Sequence, residues 1–265
     1  MTLQVATANL NGVRAATRRG IGTWLDRVRP EILAVQEVRA PPEVLTAALP
    51  GWGLAHAASE IPGRAGVAIA TTWPVHAVRT GLGLSAPHQS GRWIEADVGV
   101  PTWAEPLTVV SAYVPVGEVD SPKQEAKYEF LDAMTMRMGE LVACGGNVIV
   151  CGDINVAHRE ADLRNWRGNI GKRGFLLTER AYIDTWLDHQ GWVDMGRKLA
   201  GDVDGPYTWW SWRGKAFDND AGWRIDCQFA SPRVAALAQA SRVDRAPTYA
   251  ERWSDHAPMV VIYGP

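Results

Sequence analysis

The chain has 265 residues and a mass of 29.0 kDa, enough to bury a sizeable core in one large domain or two small ones. Lys+Arg 27 against Asp+Glu 29 leaves a formal net charge of -2, so no global positive field announces a nucleic-acid partner, and 46% hydrophobic residues argue against disorder. No apolar run reaches the ~18 residues of a membrane span, the start lacks a signal-peptide pattern, and the three cysteines form no CxxC pair; a cytoplasmic protein with no membrane partner is expected.

Short apolar runs closed by turn signals predict strands at Leu3–Ala8 and Ile32–Gln36, with a helical pattern over Thr17–Val28 between them that stops before Pro30. Further strands are predicted at Gly66–Thr71, Trp93–Val98 and Leu107–Tyr113. A long helix over Pro122–Ala143 follows, with Phe130, Leu131, Met134 and Met138 on its apolar side. Val148–Cys151 reads as a strand, Leu177–Leu187 as a helix and Val193–Leu199 as a weaker one. Tyr207–Trp212, Trp223–Ala230 and Pro258–Tyr263 complete the strands. No linker or repeat divides the chain, so residues 1–265 are expected to form a single domain. Strands outnumber helices without strict alternation, which favours two packed sheets with helices outside over a barrel or a doubly wound sheet.

The chemistry gathers at strand ends. Leu3–Ala8 runs into Asn9-Leu10-Asn11-Gly12, Ile32–Gln36 into Glu37, and Val148–Cys151 into Gly152-Asp153-Ile154-Asn155, while Ser254-Asp255-His256 precedes the last strand. The end of one strand lies beside the start of its antiparallel neighbour, so all four segments can meet at one pole. Their pooled carboxylates, Asn amides and imidazole are mostly hard oxygen donors, suited to Mg²⁺ or Mn²⁺ rather than Zn²⁺.

Asn9-Leu10-Asn11-Gly12, Gln36-Glu37, Tyr113-Val114-Pro115, Gly152-Asp153-Ile154-Asn155, Trp223-Arg224-Ile225-Asp226 and Ser254-Asp255-His256-Ala257-Pro258 occur in one order across nearly the whole chain. In that order and spacing the chain resembles the exonuclease III family of AP endonucleases, within the endonuclease/exonuclease/phosphatase superfamily, in its compact bacterial form. The resemblance implies a four-layered α/β sandwich, two mixed β-sheets packed together and flanked by helices. It also implies an Mg²⁺-dependent DNA repair phosphodiesterase that incises 5′ to abasic sites in double-stranded DNA, with accessory action at 3′ ends, working as a monomer.

On that resemblance Glu37 would hold the metal, with Asn9 and Asp255 completing or supporting the shell. Asp153 would activate the attacking water and Asn155 would aim its amide at a phosphate oxygen; both residues could equally bind a second ion. His256 would donate to the phosphate, held by Asp226, and Tyr113 would contact the phosphate or help the leaving group. Asn11 is a further substrate contact.

The 13 tryptophans point the same way. In Thr208-Trp209-Trp210-Ser211-Trp212 a period of 2 sends Trp209 opposite to Trp210 and Trp212. In the resembled family aromatic residues here form a pocket for a base-free deoxyribose, so Trp209, Trp210 and Trp223 are candidate substrate residues, with Trp209 and Trp223 expected at the site. Phosphate grip falls to placed cations: Arg167, Lys172 and Arg173 on the basic run 164–173, Arg92 at a strand start, and Arg14, Arg18 and Arg19.

Three positions depart from the family's usual pattern. Ala8 replaces an aromatic, Val38-Arg39 replaces Thr-Lys, and the stretch after Pro115 carries Glu118 and Asp120, which would repel a backbone phosphate. A superfamily enzyme acting on phospholipid headgroups and a catalytically silent damage-binding protein are the alternatives. The full set Glu37, Asp153, Asn155, Asp226 and His256 argues against the second of these, and the lack of an apolar anchor against the first.

Overall fold

Both halves of the chain make a parallel pair through a helical crossover. In the computed structural model, which describes residues 2–264, β1 (Leu3–Asn9) leads through α1 (Val13–Arg18) and α2 (Ile21–Val28) to β2 (Ile32–Gln36), parallel to β1 with Asn9 opposite Gln36. Parallel neighbours need such a crossover, because a tight turn only reverses the chain. After α3 (Pro42–Ala48) come β3 (Gly53–Ala57), β4 (Val67–Thr71), β5 (Val75–Thr80) and β6 (Trp93–Val98). The second parallel pair is β7 (Leu107–Tyr113) and β8 (Asn147–Asp153), joined by the 22-residue α4 (Pro122–Ala143), with Tyr113 opposite Asp153. α5 (Leu177–Asp184), β9 (Val193–Asp194), α6 (Met195–Ala200), β10 (Asp226–Ala230), α7 (Pro232–Ala235), β11 (Ala238–Val243) and β12 (Met259–Tyr263) complete the order.

These strands form two mixed six-stranded sheets, β11-β12-β1-β2-β4-β3 and β5-β6-β7-β8-β10-β9. Val5, Ile69, Ile94, Val109, Ile149 and Val261 fill the space between them. On the outer face of the first sheet, Leu33 and Val35 pack with Ile21, Trp24 and Leu45; outside the second, Val110 and Val150 pack with Phe130, Met134 and Trp186. Central strands buried on both faces explain the continuous apolar runs, and the expected four-layered sandwich is the observed one.

The inner faces also carry a small polar lock just below the site. Gln36 Nε2 donates to Ser111 Oγ at 2.9 Å, and Ser111 Oγ donates to the Val35 carbonyl at 2.9 Å, all buried. This ties β2 to β7 in register, so Glu37 and Tyr113 emerge at one pole. Gly152 serves the same end: a Cβ there would lie 2.1 Å from the Ala112 carbonyl oxygen, so only glycine lets β8 run this close to β7.

Some elements differ from expectation. The helix predicted over Thr17–Val28 is two helices, broken at Gly20 with φ +97°. Tyr207–Trp212 is not a strand: Trp209 bonds Trp223 through both backbone groups, while Trp210 N–H turns to the Asp255 carbonyl, so the segment divides between two partners and no ladder extends. The strand predicted from Trp223 begins at Asp226, and Val193–Leu199 splits into β9 and part of α6. β3, β5, β11 and α3 lie outside the predicted elements. β3, β5 and β11 are edge or near-edge strands with partly exposed, polar-interrupted sequences, and they lack a long apolar run.

Candidate active site

The pole where β1, β2, β7 and β8 end is a cleft of about 500 Å³. Strand register builds it directly, since Asn9 pairs with Gln36, Tyr113 with Asp153, and Asp226 with Asp153 across β10. Glu37, Asn11 and Asn155 then leave their strands in the left-handed region, with φ of +50°, +46° and +52°. Such backbone costs about 1–2 kcal/mol per residue, least for Asn, so the fold sustains strain here to turn these side chains inward.

Ligand atoms of Glu37, Asp153 and His256 all lie within 4.8 Å of one another. Asn9 sits beneath them, fully buried, and its Nδ2 donates to Glu37 Oε1 at 3.0 Å and to Asp153 Oδ2 at 2.8 Å. His256 Nδ1 is 2.8 Å from Asp226 Oδ2, and its Nε2 lies 3.8 Å from Asp153 Oδ2. Burial, then the Asp226 and Glu37 charges, push the Asp153 carboxyl well above its usual range even though His256 opposes the shift. His256 moves up too: burial would lower it, but Asp226 and Asp153 outweigh burial. Asp226 Oδ1 is buried with no hydrogen-bond partner. Three carboxylates thus share a buried site in which His256 and Arg39 are the cations paired with them directly, while Arg92 and Lys127 act from farther away. Glu37 and Asp153 suit a hard divalent ion in residue type and placement, so the donor set fits the expected metal.

The other expected ligands are placed differently. Asp255 is occupied elsewhere, accepting from Asn11 Nδ2 at 2.7 Å and from the Trp209 indole at 3.1 Å. Asn9 Oδ1 accepts the Asn11 N–H at 2.9 Å while its Nδ2 bridges the two carboxylates. Asn155 Nδ2 donates to the Val114 carbonyl at 2.9 Å and to Asp153 Oδ2 at 3.3 Å. With both amide hydrogens engaged, Asn155 holds Asp153 in orientation. Asn11 faces the cleft and is bound to Asp255 and Arg39.

Tyr113 lines the cleft as a neutral phenol, its ionisation suppressed by burial and then by Glu37 and Asp153. Trp209 and Trp223 form an apolar wall, edge to face with ring centroids 6.2 Å apart, with Ile225 beside them. Trp210 belongs elsewhere: it is buried against Phe217 at 5.3 Å, so it fills core and touches no substrate. Lys172 and Arg173 line the cleft. Arg167 instead covers Trp166, and Arg92 stacks on Tyr113 at 4.7 Å from an adjoining groove. Glu118 is exposed and paired with Lys123 at 2.7 Å, which offsets its repulsion.

A sequence profile of the endonuclease/exonuclease/phosphatase family matches residues 6–256. The chain belongs to that family. It is 28% identical over 262 residues to an exodeoxyribonuclease of Bacillus subtilis, covering 98% of this chain and 99% of that one. It is 25% identical over 263 residues to a DNA-(apurinic or apyrimidinic site) endonuclease of Dictyostelium discoideum, covering 98% of this chain and 70% of that one. Among solved structures, an AP endonuclease from Archaeoglobus fulgidus superposes with a TM-score of 0.86 at 29% identity, covering 98% and 99% of the two chains. A Neisseria 3′ phosphatase bound to product DNA hairpin gives 0.87 at 27% identity over 98% and 99%. Family membership and these relatives make the chain a nuclease hydrolase.

Against the family pattern, Arg39 gains a place in the site. It pairs with Glu37 and donates from Nη1 to Asn11 Oδ1 at 2.8 Å. Its nearness in sequence to Glu37 was the available signal, and the left-handed turns at Glu37 and Arg39, with φ of +50° and +52°, are what bring the two side chains together. Lys127 and Glu179 had no comparable signal. Both are fully buried, paired at 2.7 Å, and Lys127 Nζ also donates to the Asn155 carbonyl at 3.0 Å, pinning the loop after β8 from below. An apolar helix stripe read from sequence gives no reason to bury a lysine. Thr208 is a third: its hydroxyl accepts the N–H groups of Ile225 and Asp226 at 3.1 and 3.0 Å, fixing the start of β10 behind His256.

Proposed function

We propose that the cleft hydrolyses a phosphodiester of double-stranded DNA on the 5′ side of an abasic site, leaving a 3′-hydroxyl, and also acts at 3′ ends. One observation carries this reading: the Glu37, Asp153 and His256 cluster opens directly onto the Trp209–Trp223 wall. A base-free sugar fits beside two indoles where a nucleotide with its base does not, and flipping costs least where the base is missing. No helix among the described residues is long and apolar enough to cross a membrane, and we read the protein as a cytoplasmic monomer formed by one domain.

In this reading Glu37 and Asp153 would hold Mg²⁺, for which Mn²⁺ could substitute, and the ion would supply positive charge to the phosphate oxygens and the leaving group. Asp153 takes the proton of the attacking water as the new bond to phosphorus forms and the bond to the 3′ oxygen breaks. Asn155 and Asn9 keep its carboxylate aimed. His256, held by Asp226 at Nδ1, presents Nε2–H to the phosphate, where charge develops in the transition state. Tyr113, lining the same cleft, offers its phenolic hydrogen to the phosphate, and the departing 3′ oxygen takes a proton from water. Lys172 and Arg173 meet the backbone phosphates.

A duplex oligonucleotide with one tetrahydrofuran abasic analogue tests this, incubated with protein and Mg²⁺ with and without EDTA. A single cut 5′ to the analogue, abolished by EDTA, is expected. Tight binding without cleavage would replace the enzyme by a damage-binding protein, and hydrolysis of a phospholipid headgroup but not DNA would replace the substrate.

A further inference from the structure

The carboxylate cluster and the tryptophan wall are joined by one unbroken run of polar contacts. Arg39 is shared between Glu37 and Asn11 Oδ1, the latter at 2.8 Å. Asn11 Nδ2 donates to Asp255 Oδ1 at 2.7 Å, and the second oxygen of Asp255 accepts the Trp209 indole N–H at 3.1 Å. Asn11 is fixed from below as well, because its backbone N–H bonds Asn9 Oδ1 at 2.9 Å and Asn9 spans Glu37 and Asp153. Trp209 is half-buried and meets Trp223 only edge to face. An edge contact tolerates rotation of the ring about its own plane, whereas a directed N–H bond to a held carboxylate does not.

We propose that Asn11 and Asp255 are positioning residues through which the state of the cation cluster sets the Trp209 ring, and so the shape of the pocket. The proposal rests on reading the cleft as a cation-dependent nuclease. Glu37 cannot serve Arg39 and a divalent ion at full strength together. As Glu37 turns to the ion, Arg39 keeps Asn11 as its remaining acceptor in the run, and the Asn11 amide is drawn more firmly into place. Asp255 follows Asn11 through one oxygen and carries the indole on the other. The pocket wall is thereby set in its recognition geometry when the ion is present, and is looser when it is not. An indole is required at position 209 for this, since a phenyl ring has no N–H to donate to Asp255.

Fluorine NMR of the full chain labelled with 5-fluorotryptophan tests the relay without DNA. The Trp209 resonance is assigned as the one missing from Trp209→Phe, and the resonances of Trp24 and Trp186 report an intact fold. In the wild type, Mg²⁺ alone is expected to shift the Trp209 resonance. Asn11→Gly removes the side chain while suiting the φ of +46°. In that variant the resonance should already be displaced without the ion, and its response to Mg²⁺ should fall below about a third of the wild-type shift, with calorimetry showing that Mg²⁺ still binds. The ratio of abasic incision to 3′-end removal should fall with it, as kcat at the abasic site. An unchanged Trp209 resonance in Asn11→Gly, with Mg²⁺ bound, overturns the relay and leaves the nuclease reading standing. Absence of Mg²⁺ binding in the wild type overturns the cation reading, and the coupling with it.

Discussion

Two buried groups of carboxylates have opposite chemistry. On one side Glu37, Asp153 and Asp226 are 7%, 1% and 0% exposed and face His256. On the other, Asp162 and Asp194 are 0% and 6% exposed and face Arg224, which reaches Asp162 from Nε at 2.7 Å and Asp194 from Nη2 at 2.8 Å; Arg197 also pairs with Asp162. Burial opposes ionisation of Asp162, yet the Arg224 and Arg197 charges outweigh it and hold its carboxyl far below the usual range. In Asp153 burial wins and the shift is upward. Equal burial therefore does not decide the ionisation state; the supply of fixed cations does. One group is finished by arginines of the fold, and the other keeps more carboxylates than cations paired with them.

The sharpest way to break that comparison is to remove one carboxylate from the unfinished group. Asp153→Asn should cut abasic-site incision by about 10²–10⁴-fold, the range of a lost general base. Its thermal midpoint should stay level or rise, because the substitution relieves repulsion with Glu37 and Asp226. A variant retaining more than about a tenth of the rate would take Asp153 out of the base role.

The matching change in the finished group has the opposite profile. Arg224→Met leaves Asp162 and Asp194 buried without their shared partner. Breaking a buried pair from one side costs about 3–5 kcal/mol, to be read from urea unfolding, whereas the Asp153 change should cost almost none. If both variants melt alike, the two clusters do not differ in the way their partners indicate.

Much of this division was legible in the sequence, and where it was not the reason is specific. Asn9, Glu37, Asp153 and His256 were visible because each sits at or beside a strand end, and strand ends follow from apolar runs and turn residues; Asp226, inside the strand predicted over Trp223–Ala230, was visible through the family resemblance alone. Lys127, Glu179 and the Asp162–Arg224–Asp194 group were not, because a buried charge looks like a surface charge until its partner is known, and these partners lie 30 to 62 residues apart. The Trp209 and Trp210 alternation was readable from period 2, yet Trp210 was also assigned to substrate, since sequence does not say which face has a core behind it. Phe217, which supplies that core, lies beyond a turn.

The tryptophan wall offers a smaller effect. Trp209→Ala should lower incision at an abasic site about tenfold more than removal of an undamaged 3′ nucleotide, assayed on two oligonucleotides under one set of conditions. Stacking on an aromatic ring is worth about 1–3 kcal/mol by such truncation. Equal losses on both substrates would make Trp209 a packing residue like Trp210.

The smallest expected effect is a loss of stability in acid, and it belongs to the carboxylates held by arginines. Glu95 is a second such group: burial resists its ionisation, but hydrogen bonds from Arg137 and Arg79 at 2.7 and 2.6 Å hold its carboxyl below the ordinary value. For Glu95 and Asp162 the folded pKa is lower than the unfolded one. The unfolded chain then binds more protons, and the stabilisation is complete above the unfolded carboxyl value, near pH 4, and is lost as pH falls below it through the folded values. Urea unfolding between pH 6 and pH 3 should show a loss of about 1 kcal/mol from Asp162, and Asp162→Asn should flatten the slope while lowering stability at pH 6. Asp153 departs in the other direction, so its replacement should leave the acid limb below pH 4 unchanged. A common response of Asp153→Asn and Asp162→Asn to acid would show that the arginines, and not burial alone, had been credited with too much.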